Sequence, residues 1–281
     1  MAPLEGLCSP TEAWLFYWGW SRVYDVMQPF FTSPEMREAG LDLADVSGAE
    51  LEVLDMGAGT GTLSQQMVAR GVKRLTLLDQ SAQMLDQARA KPSLAGCDFV
   101  LADASEQLPF DEDRFDRVVS SGFFYYMPNP VEALREQMRV VRPGGRVLVM
   151  GSLAPKPLLV RLLAQTFNRF PTQAQYEGWF RDAGLSDVRW EWVSNPWNAS
   201  QYAIAICGTK APGTPQPARL PPRNGAAGAR LRRLAYLPLA VARLGLALAA
   251  FAVVGPLQVA TAAMGMRKLR SRGGGGEAAA A

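Results

Sequence analysis

Short apolar runs alternate with amphipathic segments through the middle of the chain. From residue 51 onward, runs rich in Leu and Val are mostly followed by longer stretches whose apolar residues recur at helical spacing. This alternation is typical of βαβ units, in which helices connect parallel strands. We therefore expect an α/β fold with a mostly parallel, doubly wound sheet, in which the last two strands form an edge hairpin and Pro143-Gly144-Gly145 breaks the chain before the fifth strand. The pattern predicts seven strands, at 51–56, 75–79, 98–103, 115–121, 146–151, 188–193 and 202–208, and helices at 62–70, 82–91, 130–141, 158–167 and 173–183.

Two further apolar segments flank this region. Residues 12–31 contain eight aromatic residues and are apolar on nearly every side of a helix, which predicts either a packing helix or a lid over a hydrophobic ligand. Residues 210–229 are rich in Pro and Gly and read as a linker. Residues 244–266 then form an uncharged run of 23 residues with basic residues on both sides. A helix of that length would measure about 34 Å, enough to cross a hydrocarbon core of about 30 Å. We predict a transmembrane helix, with an amphipathic surface helix as the alternative.

Charge divides the chain into two parts. The first 209 residues contain 18 basic and 25 acidic residues, whereas the remainder contains 11 basic residues and one acid. An acidic body argues against a nucleic-acid enzyme, because phosphate binding needs a basic face. A basic tail beside apolar residues suits a surface of anionic lipid. The division predicts an aromatic helical lid at 1–50, an α/β domain at 51–209, a linker at 210–229, a membrane anchor at 230–272 and a low-complexity tail at 273–281.

Composition also restricts the chemistry. The chain has no histidine and three cysteines at unrelated spacings. These counts remove the Ser-His-Asp triad, histidine bases and most zinc sites, and they predict no disulfide framework and no metal. Any proton must therefore be taken by Asp, Glu, Tyr, Cys or water. Residues 1–11 lack the basic and apolar regions of a signal peptide, and we expect no transit peptide there.

The glycine-rich stretch LEVLDMGAGTG at 51–61 carries the clearest chemical signal. A buried strand ends there, and Gly57, Gly59 and Gly61 allow a tight turn that a ligand can approach closely. Such turns serve NAD, FAD and nucleoside-methionine ligands alike. Asp55 lies inside the turn, where a carboxylate can meet an ammonium group but would repel a pyrophosphate. The next residue after Gly61 is Thr62 rather than a helix-packing glycine, so an NAD-dependent dehydrogenase is disfavoured.

Two more acids follow the next two strands. Asp79 ends the second predicted strand, where it can accept hydrogen bonds from both ribose hydroxyls, and Asp103 ends the third, where it can accept from an adenine amino group. Acids at the carboxyl ends of three successive strands suit a cationic, unphosphorylated nucleoside, and S-adenosylmethionine (SAM) is the natural candidate. The residues expected to bind it are Asp55, Gly57, Ala58, Gly59, Gly61, Asp79, Gln80, Asp103, Ala104 and Ser120.

Residues 51–151 resemble a class I SAM-dependent methyltransferase, and further motifs narrow the resemblance. The stretches LLDQS, ADASEQLPF, FDRVVSSGFFYYMPNP and FPTQAQYEGWFRDAGLSDV are similar to the plastid 2-methyl-6-phytyl-1,4-benzoquinol (MPBQ/MSBQ) methyltransferases of tocopherol and plastoquinone synthesis. The aromatic stretch FYWGWSRVYDVMQP and the C-terminal anchor resemble the same family. The chain departs from it in having GAGTG for GGGTG and in lacking a basic, histidine-containing stretch within 188–209. The resemblance implies a Rossmann-like class I methyltransferase fold.

The resemblance also implies a reaction and a location. SAM would methylate a ring carbon of 2-methyl-6-phytyl- or 2-methyl-6-solanesyl-1,4-benzoquinol at the plastid inner envelope membrane. Tyr24 and Asp25 are candidates for contact with the quinol hydroxyl or for removal of the ring proton, and Tyr17, Ser121 and Tyr125 for lining the acceptor pocket. Two alternatives stay open, a methyltransferase for another lipid such as a sterol or a different prenyl-quinone, and a membrane-tethered SAM-binding protein without catalysis.

Overall fold

A single sheet organises the part of the chain that the structure describes. This computed structural model describes residues 34–124, 127–153, 170–195 and 198–220, together with the isolated positions 238, 241 and 245. In the described ranges the sheet has seven strands, which are β1 (Glu52–Met56), β2 (Arg74–Asp79), β3 (Asp98–Leu101), β4 (Phe115–Ser121), β5 (Val141–Ser152), β6 (Ser186–Asn195) and β7 (Asn198–Thr209).

The strand order across the sheet is β3-β2-β1-β4-β5-β7-β6. Strands β1 to β5 pair in parallel, and β7 runs antiparallel to both β5 and β6. The prediction of a mostly parallel seven-stranded sheet with an edge hairpin is therefore confirmed. The chain order reverses between β1 and β4, and ligands of such folds bind at the carboxyl ends of the strands beside this reversal.

Helices cover both faces of the sheet, as a doubly wound fold requires. One core, which includes Leu41, Met67 and Leu85, lies under α1 (Pro34–Leu43), α2 (Thr62–Ala69) and α3 (Ala82–Arg89). The other core, which includes Leu134 and Phe180, lies under α4 (Pro130–Val140) and α5 (Gln173–Ala183). Successive residues of a strand supply opposite cores because side chains alternate across a sheet.

Local signals set the ends of α5 and explain why it was predicted correctly. Thr172 accepts from the backbone of Gln175, whose side chain in turn accepts from the Thr172 N–H, so the helix begins with a capping box. The helix ends at Gly184, which has φ 92°, a left-handed conformation that glycine adopts without strain. The sequence predicts this stop because Gly184 follows the last apolar residue of the helix.

Strand β5 is longer than the sequence predicted. It begins at Val141 rather than Arg146 and continues through the Pro-Gly-Gly stretch that was expected to break the chain. The expected break is wrong because long-range contacts hold this stretch. The Gly144 N–H donates to the Lys210 carbonyl at 2.7 Å, and the Lys210 N–H donates to the Gly145 carbonyl at 3.0 Å.

The beginning of the predicted linker is bound to the domain. Lys210 is buried, and its Nζ donates to Asp113 Oδ1 at 2.6 Å, to the Val141 carbonyl at 3.0 Å and to Gln216 Oε1 at 3.1 Å. Arg219 pairs with Glu112 at 3.0 Å. Residues 210–220 therefore pack at the end of the sheet where β4 begins.

Several sequence predictions fall outside the described residues. They include the aromatic segment 12–31, the helix at 158–167 and the apolar run 244–266, of which only position 245 is described. Within the ranges that the structure does describe, no helix combines the length and apolar character needed to cross a bilayer. Helix α1, which the sequence analysis did not separate from the proposed lid, packs on the sheet with Gly40 against Met150.

Candidate active site

The glycine turn folds back onto the neighbouring strand. The backbone N–H groups of Gly57 and Ala58 both donate to the Leu78 carbonyl, at 2.8 and 3.0 Å. Gly57 and Gly59 have φ of 74° and 56°, which an L side chain rarely adopts. A Cβ on Gly59 would meet no atom within 4 Å, so this glycine borders open space where a ligand can approach the backbone.

Asp79 joins this turn to the start of α3. Its Oδ2 accepts from the Gly59 N–H at 2.8 Å, and its Oδ1 accepts from the Ser81 N–H at 2.8 Å. Burial raises the pKa of Asp79, and these backbone hydrogen bonds oppose the rise. The carboxylate therefore has a fixed orientation beside the open position at Gly59.

The residue after Asp79 carries an acceptor that the protein does not use. Gln80 Oε1 is buried and has no hydrogen-bond partner among the described residues. A buried acceptor without a donor costs about 1–3 kcal/mol, so a ligand that supplies an N–H or O–H there would recover the loss. Together with the Asp79 carboxylate, this atom fits a nucleoside with hydroxyl and amino donors.

Asp55 is a second buried acid of the site. It is buried beneath the glycine turn, and Ser64 Oγ of α2 donates to its Oδ2 at 2.6 Å. Burial raises the pKa of Asp55 to about 7, the Ser64 hydrogen bond opposes the rise, and the negative charge of Asp79 adds to it. A bound cation would remove this penalty, because an opposite charge nearby favours the ionised carboxylate.

Asp103 is oriented by the loop that follows β3. Its Oδ1 accepts from the Ser105 N–H at 2.9 Å and from Ser105 Oγ at 2.7 Å, and the next residue, Ala104, is buried. The three acids predicted for SAM binding thus follow or end three adjacent strands at one edge of the sheet.

A buried ion pair that the sequence analysis missed holds this loop. Arg139 is fully buried and donates to Glu136 Oε1 at 2.7 Å, to the Leu108 carbonyl at 3.1 Å and to the Phe110 carbonyl at 3.0 Å. Glu136 in turn accepts from the Leu108 N–H at 2.8 Å. The sequence shows only an i,i+3 charge pair on a helix, which usually lies in solvent.

The residues predicted to lie on the acceptor side differ in how exposed they are, and several are outside the described residues. Ser120 is fully buried, and its Oγ donates to the Leu148 carbonyl at 3.3 Å, so the structure does not bring it to the site surface. Ser121 is partly exposed at the end of β4. Tyr17, Tyr24, Asp25 and Tyr125 lie outside the described residues.

Phe123, which the sequence analysis did not single out, lies against the glycine turn. The Phe123 ring contacts the glycine turn, since a Cβ on Gly57 would lie 2.5 Å from Phe123 Cγ. Phe124, Trp179 and Tyr176 continue as a chain of ring contacts, with centroids 6.2 Å apart for Phe124 and Trp179 and 5.2 Å apart for Tyr176 and Trp179. Within the described residues no group of three acidic, cysteine or histidine side chains could hold a metal ion.

Comparison with known proteins agrees with this arrangement. The family model for a methyltransferase domain matches residues 54–149. The chain is 39% identical over 188 residues to "2-methyl-6-phytyl-1,4-hydroquinone methyltransferase 2, chloroplastic" of Oryza sativa subsp. japonica, a match covering 66% of this chain and 54% of that protein. It is 34% identical over 175 residues to a demethylmenaquinone methyltransferase of Clavibacter sepedonicus, covering 52% of this chain and 69% of that protein.

The fold is shared with solved methyltransferases. A Haemonchus contortus phosphoethanolamine N-methyltransferase 2 in complex with SAM has a TM-score of 0.54 at 16% identity, covering 63% of this chain and 53% of that chain. The fold, the glycine turn with its acids and these matches define one class: the chain belongs to the class I SAM-dependent methyltransferases. The chain spans 54 to 65% of the length of the plant relatives that it matches.

Proposed function

We propose that this protein transfers the methyl group of SAM to a ring carbon of a prenylated benzoquinol, in tocopherol or plastoquinone biosynthesis. The observation that carries the proposal is the 39% identity to a plant methyltransferase named for a phytylated hydroquinone. The partly exposed rings of Phe123 and Trp179, which are linked through the buried ring of Phe124, support it, because a flat apolar acceptor would pack against exposed rings beside the cofactor turn.

In this proposal each acid has one task. The Asp79 carboxylate accepts from the ribose hydroxyls, with its orientation fixed by Gly59 and Ser81. Asp103 accepts from the adenine amino group, with Gln80 Oε1 as a further acceptor and Ala104 as apolar packing. Asp55 attracts the ammonium group from beneath the turn, and Ser120 acts only through the packing of β4. SAM supplies an electrophilic methyl group on a positively charged sulfur.

The acceptor must become a carbon nucleophile and then lose a ring proton. The new bond joins the ring carbon to the methyl carbon, the methyl–sulfur bond breaks with its electrons, and the ring proton passes to a base. We propose Tyr24 and Asp25 for contact with the quinol hydroxyl or for this proton removal, and Tyr17, Ser121 and Tyr125 for the pocket. A water-poor pocket supports the reaction because it holds the reacting carbons in line and excludes hydroxide.

The membrane assignment is part of the same proposal. The basic-flanked segment 230–272 would anchor the protein so that a lipid acceptor enters without crossing water, at the plastid inner envelope if the protein works where the plant relatives are named to work. Removing residues 230–281 should leave SAM binding intact and lower turnover on quinol in vesicles, while turnover on detergent-dispersed quinol stays the same. Equal loss in vesicles and detergent would argue against the anchor.

A second acceptor class is favoured by one observation. The match to a demethylmenaquinone methyltransferase covers 69% of that protein, whereas the match to the rice methyltransferase covers 54% of the rice protein. A prenylated naphthoquinol is therefore the second candidate acceptor.

One incubation distinguishes these acceptors. Membranes containing the full chain would be incubated with methyl-labelled SAM and separate prenylated benzoquinols, demethylmenaquinol and a sterol, and products identified by mass spectrometry. We expect a methyl group on a ring carbon of a benzoquinol. Methylation of demethylmenaquinol alone would support the second candidate, and methylation of none of them would contradict both. Asp79→Ala, which removes the proposed ribose contact, is the matched inactive control.

A further inference from the structure

Phe123 lies directly against the glycine turn. A Cβ built on Gly57 would be 2.5 Å from Phe123 Cγ and 2.9 Å from its Cδ1, so the ring is in van der Waals contact with the Gly57 backbone. Gly59, two residues further, has no neighbour within 4 Å of its Cβ position. One half of the turn is therefore covered by an aromatic ring, and the other half is open.

The chain places this ring through a turn at the end of β4. Gly122 has φ 69°, and its N–H donates to the Met150 carbonyl at 2.9 Å. Phe124 is buried in the core and stands edge-on to Phe123, with ring centroids 6.1 Å apart. Because Phe124 is fixed in the core and Gly122 is tied to β5, the residue between them is directed over the end of the neighbouring strand β1.

The position of the ring relative to the acids suggests what it contacts. In the covalent structure of SAM the sulfonium lies between the ribose, which we assign to Asp79, and the ammonium group, which we assign to Asp55. Strand β1 carries the turn, β2 with Asp79 lies on one side of it, and β4 with Phe123 lies on the other. SAM bound in this way would have its sulfonium over the turn that follows β1, next to the end of β4 from which Phe123 extends.

We infer that Phe123 is the residue that recognises the sulfonium, with its ring face against the positive sulfur and methyl group of SAM. The negative face of an aromatic ring attracts a cation, most strongly where water is excluded. S-adenosylhomocysteine (SAH), the product, carries a neutral sulfur and lacks this attraction. Phe123 thus favours binding of the methyl donor over the spent product. The inference rests on the proposed placement of SAM and not on the identity of the acceptor.

The test compares two ligands that differ by one methyl group and one charge. Dissociation constants of SAM and SAH would be measured by calorimetry on the full chain and on Phe123→Leu. We expect SAM to bind about threefold to tenfold more weakly to the variant, while SAH changes by less than about twofold. Phe115→Leu is the matched control, because it removes a buried ring at the opposite end of β4 and should leave the ratio of the two constants unchanged.

A second variant series keeps the test valid if Phe123→Leu fails to fold. Phenylalanines with increasing numbers of ring fluorines at position 123 retain the shape of the ring and reduce the negative charge of its face. The preference for SAM over SAH should fall stepwise along the series. A constant ratio, or equal weakening of both ligands, would overturn the inference. Both readouts are binding constants, so a failure to methylate any quinol would leave the inference standing and count only against the proposed acceptor.

Discussion

Replacing Asp55 by asparagine should stabilise the protein and weaken its hold on SAM. Asp55 is buried, receives one hydrogen bond from Ser64 Oγ at 2.6 Å and has a pKa raised to about 7. An ionised carboxylate in this position is costly without a bound cation. Asparagine has nearly the same shape and can still accept from the Ser64 hydroxyl through its carbonyl oxygen.

The size of the effect follows from proton linkage. Because the folded-state pKa of Asp55 is raised, the native protein binds this proton more tightly than the unfolded chain, so the contribution of Asp55 to stability is most favourable below pH 4 and is lost as pH rises towards 7. With a pKa of about 7 when folded and 3.8 when unfolded, the penalty for ionising Asp55 is about 2 kcal/mol at pH 5 and about 4 kcal/mol at pH 8. The stability advantage of the Asp55→Asn variant over the unsubstituted protein should therefore grow by about 2–3 kcal/mol between these pH values.

Urea unfolding of both proteins without SAM, at several pH values between 5 and 8, measures this difference. Other titrating groups are common to both proteins and cancel to first order. Asp86→Asn is the control, since it makes the same substitution at an exposed carboxylate, which pairs with Arg89 on α3. A stability difference between the Asp55→Asn variant and the unsubstituted protein that stays constant from pH 5 to pH 8 would refute the reasoning.

The same substitution should weaken the binding of SAM. Asp55→Asn should weaken SAM by about tenfold or more, because the ammonium group loses a buried charged partner worth about 1.5–3 kcal/mol. In the unsubstituted protein the SAM affinity should rise as pH increases through 7, since only the ionised carboxylate attracts a cation, and this slope should be absent in the variant. A stabilised variant with unchanged affinity would remove Asp55 from the ammonium site.

Three further predictions test other contacts. Asp79→Asn should weaken SAM by about 1–3 kcal/mol through loss of a charged acceptor for the ribose, and calorimetry showing no change would exclude that role. Tyr176→Phe should raise the free energy of unfolding by about 1 kcal/mol, because the Tyr176 hydroxyl is buried and has no hydrogen-bond partner in the part of the chain that the structure describes; a lower free energy of unfolding in a denaturant titration would contradict this. Arg139→Met should lower the free energy of unfolding by about 3–5 kcal/mol, because it leaves the Glu136 carboxylate buried without its partner. Adding Glu136→Leu to Arg139→Met should recover most of that loss, and no recovery would show that the cost lies elsewhere.

The central strands of the parallel sheet were predictable because they are buried on both faces. Strand β2 runs from Arg74 to Asp79, within one residue of its predicted bounds, since the four residues at 75–78 are all buried and three of them are leucine. The positions of the acids follow from the same reading, because parallel strands end at a common edge. That Asp55 and Asp79 lie at that edge could be predicted from their positions at the ends of β1 and β2, although their hydrogen-bond partners could not.

Contacts between segments distant in sequence were not predictable. Phe123 is the first of four consecutive aromatic residues, and nothing local indicates that it, rather than Phe124, covers Gly57. Glu136 and Arg139 resemble a solvent-exposed pair on a helix until the loop at 104–110 closes over them. Ser120 is a further example, since its hydroxyl donates to the Leu148 carbonyl of the neighbouring strand, 28 residues away in the sequence.

The glycine turn lies at the carboxyl-terminal ends of the parallel strands, and the chain leaves the domain at their amino-terminal ends. This separation limits how a membrane anchor could act on the cofactor site. Strand β7 ends with Thr209 opposite Arg146, near the amino-terminal ends of the parallel strands, and Lys210 is fixed there by Asp113. The chain therefore leaves the described domain at the edge away from the glycine turn. Strand β5, with 12 residues, spans about 40 Å. The 17 residues at 221–237, which precede the first described helical position at 238, could extend about 56 Å, so they are long enough to bring either end of the strands to a bilayer. Chain length thus permits the proposed anchor to serve the cofactor edge, and surface chemistry rather than the anchor must decide which edge faces the lipid.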